Sequence, residues 1–222
     1  MLDIHPRDAE YVFLDLDGTL TDPSEGITGG VLYVLDRFGI PETDRRKLYS
    51  FIGPPLYESF MKYYGFTREQ AYRGVEIFQE YYSTRGWSEN VPYPGIRELL
   101  AEWKQEGRKL ILATSKPEVF AVRILETFGM AESFLLMAGG DVEETRVEKA
   151  MVIDYAKETL GLPDDIRAVM IGDTRYDVLG AAAHGIPTVG VLYGFGERAA
   201  LEDAGARWLC KSVADLRQLM RR

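Results

Sequence analysis

The stretch YVFLDLDGTLTD, residues 11–22, places two aspartates at the end of a short apolar run. Residues 11–14 are typical of a buried β-strand, whereas Asp15 and Asp17 are costly to bury unless something compensates their charge. Gly18 allows the backbone to turn sharply and to expose its amides to a ligand. Two carboxylates at one strand end could hold a hard cation, whereas a simple turn would need only one of them. The stretch therefore predicts a strand that ends in a binding site.

Three later apolar runs have the same character as this first strand. They are short, continuously apolar and bounded by turn-forming residues, and they cover residues 109–113, 168–171 and 187–192. Such strands are typically buried on both faces, as in a parallel sheet that is covered by helices. Helical patterns alternate with them through the second half of the chain. This alternation predicts an α/β fold built on a doubly wound parallel sheet.

Apolar residues at helical spacing indicate two helices in this second half. The face of the first helix ends at Gly107 and consists of Ile96, Leu99, Leu100 and Trp103. The face of the second helix ends at Gly161 and consists of Val147, Met151 and Tyr155. We expect each helix to end at its glycine, because glycine commonly follows the last turn of a helix.

Residues 22–90 differ from the rest of the chain, because they contain several helix patterns and no convincing strand. Thr67 and Gln70 form a capping box at the start of one of these helices. Two prolines and a glycine in VPYPG, residues 91–95, mark the return to the α/β pattern. We therefore expect a helical domain, residues 22–90, inserted after the first strand of an α/β core domain that comprises residues 1–21 and 91–222.

The composition excludes several classes of function. The chain has 222 residues, 46% of them hydrophobic, and a net charge of −9. It can bury a core, but it lacks the clustered basic face that nucleic-acid or anionic-membrane binding requires. No apolar run reaches the roughly 18 residues of a membrane span, and the first residues lack the layout of a secretory signal. We expect a cytoplasmic protein whose single cysteine, Cys210, is a buried side chain rather than a nucleophile.

A second acidic motif, GDTRYD at residues 172–177, follows another of the apolar runs. Asp173 stands at the strand end, and Asp177 falls on the opening turn of a helix, where it could serve only to offset the helix dipole. If this strand neighbours the first one, Asp15 and Asp173 converge at the carboxyl edge of the sheet, where open α/β sheets bind ligands. An oxygen-rich site of this kind best suits Mg²⁺.

A third motif, ATSKP at residues 113–117, extends one apolar run into polar residues just before a helix. Hydroxyls and free amides at such a point can cradle a phosphate. We favour Thr114 as the ligand, because Ser115 could be a plain N-cap. The positively charged side chain beside the phosphate could be that of Lys116 or of Lys149, although a lone lysine on a helix is usually a surface residue. The residues by themselves leave the two lysines as alternatives.

These four pieces, in this order, resemble the motifs of the haloacid dehalogenase superfamily of phosphohydrolases. The resemblance rests on DLDGTLTD at 15–22, ATSK at 113–116, Lys149, and GDTRYD at 172–177. Each piece is weak by itself, but together they cover most of the α/β domain. The resemblance implies a Rossmann-like core, and it implies that the helical insert is a cap that closes over the site and selects the leaving group.

The resemblance also implies catalytic and metal-binding roles. Asp15 is expected to be the nucleophile and Asp17 the general acid and base. Mg²⁺ is expected to bind the carboxylates of Asp15 and Asp173 and the backbone carbonyl of Asp17, with Asp177 in support.

For the phosphate group, the resemblance assigns the hydroxyl of Thr114 and the ammonium of Lys149, and Lys116 becomes the second choice. Further candidates for binding phosphate or substrate are Gly18, Thr19, Ser115 and Gly53. Gly53 precedes two prolines, so it could line a substrate-facing loop of the cap or simply form a tight helix entry.

The expected activity is Mg²⁺-dependent hydrolysis of a phosphomonoester through an aspartyl-phosphate intermediate. The 5′-nucleotidase-like members of a phosphoglycolate-phosphatase-like branch look most similar to this chain at residues 51–60, 93–96, 113–121 and 190–197. A 5′-nucleotide or phosphoglycolate is therefore the expected kind of substrate. Asp17 argues against a dehalogenase, since those enzymes lack the second aspartate and the metal. A phosphosugar mutase of the β-phosphoglucomutase type and a non-catalytic binding protein stay open as alternatives. The expected partner is a small phosphate ester. We expect no binding to nucleic acid or to a membrane, and we expect a monomer or a homodimer.

Overall fold

The computed structural model describes residues 4–141 and 145–222. The chain divides into two compact units. The first, here called the core unit, comprises Met1–Thr21 and Pro92–Arg222, and the second, the insert unit, comprises Asp22–Val91. The described strands are, in chain order, β1 (Tyr11–Leu14), β2 (Thr21–Asp22), β3 (Val91–Pro92), β4 (Lys109–Pro117), β5 (Phe134–Gly140), β6 (Ala168–Gly172), β7 (Thr188–Val191) and β8 (Trp208–Cys210).

The described α-helices are α1 (Ser24–Arg37), α2 (Leu56–Tyr64), α3 (Arg68–Tyr82), α4 (Ile96–Gln105), α5 (Glu118–Thr127), α6 (Lys149–Leu160), α7 (Arg175–Ala183), α8 (Arg198–Ala204) and α9 (Val213–Met220). Short 3₁₀ helices lie at Pro6–Asp8, Arg45–Phe51, Gly86–Ser88 and Ala131–Ser133. Among the described helices, none is long and apolar enough to cross a membrane.

Six strands form one parallel sheet in the order β5-β4-β1-β6-β7-β8. The central strand β1 pairs with β4 on one side, where Tyr11 lies opposite Lys109, and with β6 on the other, where Tyr11 lies opposite Ala168. The strand order therefore reverses at β1, and this confirms the predicted doubly wound α/β fold. The strands β2 and β3 form a separate two-stranded sheet, and α1 to α3 lie between them in the sequence.

The core of this sheet is built from the predicted apolar runs. Phe13, Ile111 and Met170, from three adjacent strands, pack in one cluster with Val152 and Ile153 of α6. All five side chains are fully buried, and burial of a side chain of this size contributes about 1.5–3 kcal/mol. The strands β5 and β8, at the two edges of the sheet, are not among the runs that the sequence predicts.

The predicted face of α6 is wrong for two of its three residues, whereas the third, Tyr155, is partly buried against the core. Val147 precedes the helix, and Val147 and Met151 are 39% and 42% exposed. The buried face instead carries Val152 and Ile153, and it begins with a buried lysine, Lys149. A charged residue at a core-facing position hides the helical period, because the pattern assigns lysine to the solvent side. The predicted face of α4 is confirmed, since all four of its apolar residues are buried.

The insert unit is a small helical bundle with an aromatic interior. The ring centroids of Phe51 and Phe60 lie 5.0 Å apart, and those of Phe60 and Phe66 lie 5.3 Å apart. The predicted capping box at the start of α3 is confirmed: the Gln70 amide donates to Thr67 Oγ1 at 3.2 Å, and the Thr67 amide donates to Gln70 Oε1 at 2.9 Å. Local hydrogen bonds and ring packing therefore both hold this unit together.

Candidate active site

Three acidic side chains meet at the carboxyl edge of the sheet. Asp15 follows β1, Asp173 follows the neighbouring strand β6, and Asp177 lies in the first turn of α7. One carboxylate oxygen from each lies within 4.8 Å of the others, and all three residues are buried. The parallel pairing of β1 with β6 is the cause, since it brings the ends of these two strands side by side.

Lys149 supplies the positive charge at this acidic cluster. It is the first residue of α6, and its side chain is only 3% exposed. Its ammonium lies 2.7 Å from Asp15 Oδ1, 2.7 Å from Asp177 Oδ1, and 2.7 Å from the carbonyl oxygen of Ala113, to which it donates. Burial by itself would lower the pKa of Lys149, but the charges of Asp15 and Asp177 outweigh it and raise that pKa. The lysine is therefore held in its charged form.

The cluster nevertheless holds more carboxyl groups than cationic groups. Burial, and then the charges of Asp177 and Asp15, raise the pKa of Asp173 well above its ordinary value. Within the described part of the chain, Asp173 makes no ion pair with a lysine or arginine. The lysine thus pairs with only two of the three buried carboxylates. Such a cluster suits a divalent cation, because oxygen ligands are those that Mg²⁺ prefers. The residues present therefore fit the metal that the sequence predicts.

Asp17 lies in a separate ionic contact. Its Oδ2 lies 2.5 Å from the ammonium of Lys116, and the two side chains are 15% and 5% exposed. Burial raises the pKa of Asp17, and the charge of Lys116 opposes that shift. The side chain of Asp17 is not part of the acidic cluster, and its predicted contribution to a metal, through the backbone carbonyl, stays a prediction.

The turn after β1 is closed by its own hydrogen bonds. The amide of Gly18 donates to the carbonyl of Thr21 at 2.8 Å, and the amide of Thr19 donates to Leu16 at 3.2 Å. These two amides are therefore used within the turn, and a role of Gly18 in binding phosphate or substrate stays a prediction. Gly18 is required for another reason: its φ is +79°, and a Cβ atom there would lie 2.2 Å from Asp173 Oδ2.

Thr19 also contacts the acidic cluster. It is fully buried, and its hydroxyl donates to Asp173 Oδ1 at 3.4 Å. A role of Thr19 in phosphate binding stays a prediction.

The ATSKP segment forms the end of β4. Thr114 is 2% exposed, and its hydroxyl oxygen accepts a hydrogen bond from the amide of Lys116 at 3.3 Å. Ser115 lies within the strand, and Pro117 occupies the N-cap position of α5. Ser115 is therefore not the N-cap of that helix, which was the alternative to a ligand role. The assignments of Thr114 and Ser115 to phosphate stay predictions.

Asp177 makes two kinds of contact, and its predicted support of a metal stays a prediction. Its Oδ2 accepts hydrogen bonds from the amide of Thr174 at 3.0 Å and from the hydroxyl of Thr174 at 2.9 Å, which fixes the start of α7. Its Oδ1 faces Lys149. Helix capping and charge pairing thus use different oxygens of one carboxylate.

A loop that follows β7, residues 193–196, encloses Asp173, and the sequence reasoning gave it no role. The amide of Phe195 donates to Asp173 Oδ2 at 2.8 Å, and the hydroxyl of Tyr193 donates to the carbonyl of Thr19 at 3.1 Å. A Cβ atom at Gly196 would lie 1.6 Å from the carbonyl oxygen of Asp173. The signal in the sequence was the set of glycines in GVLYGFGE, residues 190–197, since glycine permits such close approach.

Gly53 belongs to the insert unit and not to the cluster described above. It is exposed, its φ is +104°, and Pro55 takes the N-cap position of the helix that follows. These features agree with a tight helix entry, and a role of Gly53 in substrate binding stays a prediction.

Comparison with known proteins identifies relatives that match most of the chain. Residues 12–191 match the family model of haloacid dehalogenase-like hydrolases. A 5′-nucleotidase of Pseudomonas aeruginosa is 40% identical over 209 residues, which cover 94% of each chain. The tyrosine-protein kinase PtkA of Mycobacterium tuberculosis is 39% identical over 188 residues, which cover 84% of this chain and 63% of that protein. A phosphoglycolate phosphatase of Neisseria meningitidis is 28% identical over 216 residues, which cover 93% of this chain and 92% of that one.

A solved structure agrees with the fold at high similarity. The crystal structure of a predicted phosphatase from Clostridium acetobutylicum has a TM-score of 0.90 and 44% sequence identity, and the match covers 95% of this chain and 97% of that one.

Proposed function

Because the chain belongs to the haloacid dehalogenase-like hydrolase family, we propose that this phosphatase is a Mg²⁺-dependent phosphomonoester hydrolase that works through an aspartyl-phosphate intermediate. One observation carries the proposal. Asp15 and Asp17, two residues apart, are held by different lysines, Lys149 at 2.7 Å and Lys116 at 2.5 Å. Two carboxylates in separate environments can perform two different tasks.

In the first half-reaction, Asp15 attacks the phosphorus atom of the ester. A bond from the Asp15 carboxylate to phosphorus forms, and the bond from phosphorus to the ester oxygen breaks. Asp17 gives its proton to the departing oxygen, so that an alcohol leaves rather than an alkoxide. Lys149 faces the nucleophile and offsets the charge that accumulates there.

In the second half-reaction, a water molecule attacks the phosphorus atom of the aspartyl phosphate. Asp17 takes a proton from that water, the bond between Asp15 and phosphorus breaks, and inorganic phosphate leaves. Both residues return to their starting protonation states. One carboxyl group thus acts as acid in one step and as base in the next.

The residues that would hold Mg²⁺ are Asp15 and Asp173, with the backbone carbonyl of Asp17, and with Asp177 in support. When bound, the ion supplies positive charge that reduces the repulsion between an anionic nucleophile and an anionic phosphate ester. The excess of carboxylates over lysines at the cluster supports this requirement.

A 5′-nucleotide is the substrate that we propose. The support comes from the relative of 40% identity that is named a 5′-nucleotidase and that matches nearly the full length of this chain. A phosphoglycolate phosphatase is a more distant relative, at 28% identity. A panel of 5′-nucleotides, phosphoglycolate and sugar phosphates, compared by kcat/KM with Mg²⁺, tests this choice. A preference for phosphoglycolate would overturn it, and conversion of β-glucose 1-phosphate to an isomer would point to a mutase.

Asp15→Asn tests the mechanism. We expect the variant to lose turnover by on the order of 10³-fold or more, because the amide is not a nucleophile. Brief reaction with a radiolabelled substrate, followed by acid quench, should trap a labelled wild-type protein and no labelled variant. Asp154→Asn is the matched control, since that carboxylate is 63% exposed. Turnover that survives in Asp15→Asn would contradict the proposal.

A further inference from the structure

The buried lysine at the acidic cluster pairs with residues other than Asp17. The ammonium of Lys149 lies 2.7 Å from oxygens of Asp15, Asp177 and Ala113. The side chain of Asp17 has its ion pair with a different lysine.

Lys116 is the lysine that pairs with Asp17. Its ammonium lies 2.5 Å from Asp17 Oδ2, and its side chain is 5% exposed, which distinguishes it from a solvated surface lysine. Its backbone is held at the end of β4, where Pro117 pairs with Gly140 of β5. A Cβ atom at Gly139 would lie 2.8 Å from the carbonyl oxygen of Lys116, so the two strand ends are in close contact. The backbone that carries the Lys116 side chain is therefore held in place.

The two carboxylate oxygens of Asp17 differ in their hydrogen bonding. Oδ2 accepts a hydrogen bond from the ammonium of Lys116. Oδ1 is buried and has no hydrogen-bond partner among residues 4–141 and 145–222. When a carboxyl group is protonated, the oxygen that accepts from an ammonium stays an acceptor, and the other oxygen carries the proton.

We propose that Lys116 is the positioning residue of Asp17: its ammonium occupies Oδ2 and so directs the proton-carrying Oδ1 toward the departing ester oxygen. This inference rests on the function proposed above. As the bond from phosphorus to the ester oxygen breaks, the proton on Oδ1 moves to that oxygen. Asp17 becomes a carboxylate that still accepts from Lys116, and it regains a proton from the attacking water.

The test compares two kinds of ester in the variant Lys116→Met. The departing oxygen of a 5′-nucleoside monophosphate needs a proton, whereas p-nitrophenolate leaves from p-nitrophenyl phosphate without one. We measure kcat/KM, because it contains substrate binding and the first phosphoryl transfer but not the hydrolysis of the aspartyl phosphate. A correctly placed proton donor raises the rate of such a reaction by about 10²–10⁴-fold. We expect a loss of about 100-fold or more for the nucleotide and of less than about 10-fold for the aryl ester.

Two further variants complete the experiment. Lys116→Arg keeps a positive donor and should recover part of the nucleotide activity. Lys157→Met is the control, since it makes the same substitution at a lysine whose carboxylate partner, Asp164, is fully exposed, and both esters should react as in the wild type. Should Lys116→Met fail to fold, Lys116→Gln, which keeps a neutral donor of shorter reach, decides by the same ratio of losses.

The outcomes separate this inference from the proposed function. Equal losses for the two esters would show that Lys116 binds the phosphate, and unchanged activity would show that it has no part in the reaction; either result overturns the inference. Failure of the wild-type protein to hydrolyse either ester in the presence of Mg²⁺ would instead overturn the proposed function.

Discussion

Substitution of Lys149 by methionine should destabilise the protein strongly in the absence of metal. The lysine side chain is 3% exposed, and it pairs with Asp15 and Asp177, whose side chains are 11% and 0% exposed. Methionine fills a similar volume but leaves both carboxylates buried without their cation. Removal of one member of a buried ion pair costs about 3–5 kcal/mol, because the remaining charge is uncompensated. We expect a loss of this size in the free energy of unfolding.

Lys157→Met is the matched control on the same helix. Its side chain is also largely buried, at 10% exposure, but its partner Asp164 is fully exposed. Water screens the charge of Asp164 in both the wild type and the variant, so its ion pair contributes little. The expected loss is therefore much smaller than that of Lys149→Met.

Urea unfolding at neutral pH with EDTA measures both variants. The slope of the free energy against urea should match that of the wild type, and circular dichroism and tryptophan fluorescence should give the same midpoint. If Lys149→Met costs no more than Lys157→Met, the reasoning from buried charge is refuted.

The loss in the free energy of unfolding caused by Lys149→Met should also change with pH in a definite direction. Burial raises the pKa of Asp177 above its ordinary value in spite of the contact with Lys149, and loss of the cation raises that pKa further. A carboxyl group whose pKa is higher in the folded than in the unfolded protein destabilises the fold when it is ionised. The cost of Lys149→Met should therefore shrink as the pH falls from neutral toward about 4, the ordinary pKa of an aspartate. A cost that grows over this range would contradict the assignment.

Two further substitutions test close contacts near the site. Gly180→Ala should lower Tm, because the new Cβ would lie 2.6 Å from Lys149 Cβ, although alanine favours a helix by about 1 kcal/mol. The control is Gly74→Ala, where the atom nearest to the new Cβ is 3.3 Å away. A higher Tm for Gly180→Ala would contradict the close contact. Tyr193→Phe removes the hydrogen bond to the carbonyl of Thr19 and should cost about 0.5–1.5 kcal/mol in urea unfolding. Unchanged stability would show that this bond contributes nothing.

The sequence predicts the central strands of the sheet and misses its edges. The apolar runs that become β1, β4, β6 and β7 are buried along most of their length, so hydrophobicity identifies them. The edge strand β5 is buried only at its end, and Leu135 within it is 54% exposed. Strand β8 has three residues. A short or half-exposed strand at an edge has no continuous apolar run by which to recognise it.

The sequence also identifies the acidic residues of the site better than their surroundings. Asp15 and Asp173 stand out because each ends an apolar run, and a burial cost points to a function. The amide donor of Phe195 could not be identified in this way, since a backbone group has no side-chain signal. Nor could the sequence decide between Lys116 and Lys149, because the answer depends on where separate strand ends meet. In the structure, each lysine contacts a different aspartate.

The position of β1 at the centre of the sheet has a consequence for biosynthesis. Tyr11 pairs across to Lys109 and to Ala168, so the first strand leaves the ribosome long before either neighbour has been made. The insert unit, Asp22–Val91, is contiguous in sequence, and units of this kind generally fold as they emerge. During this time the apolar β1 has neither of its neighbouring strands, and strands so distant in sequence pair slowly. Until β4 and β6 emerge, residues 11–14 of the nascent chain therefore lack the two strands that bury them in the folded protein.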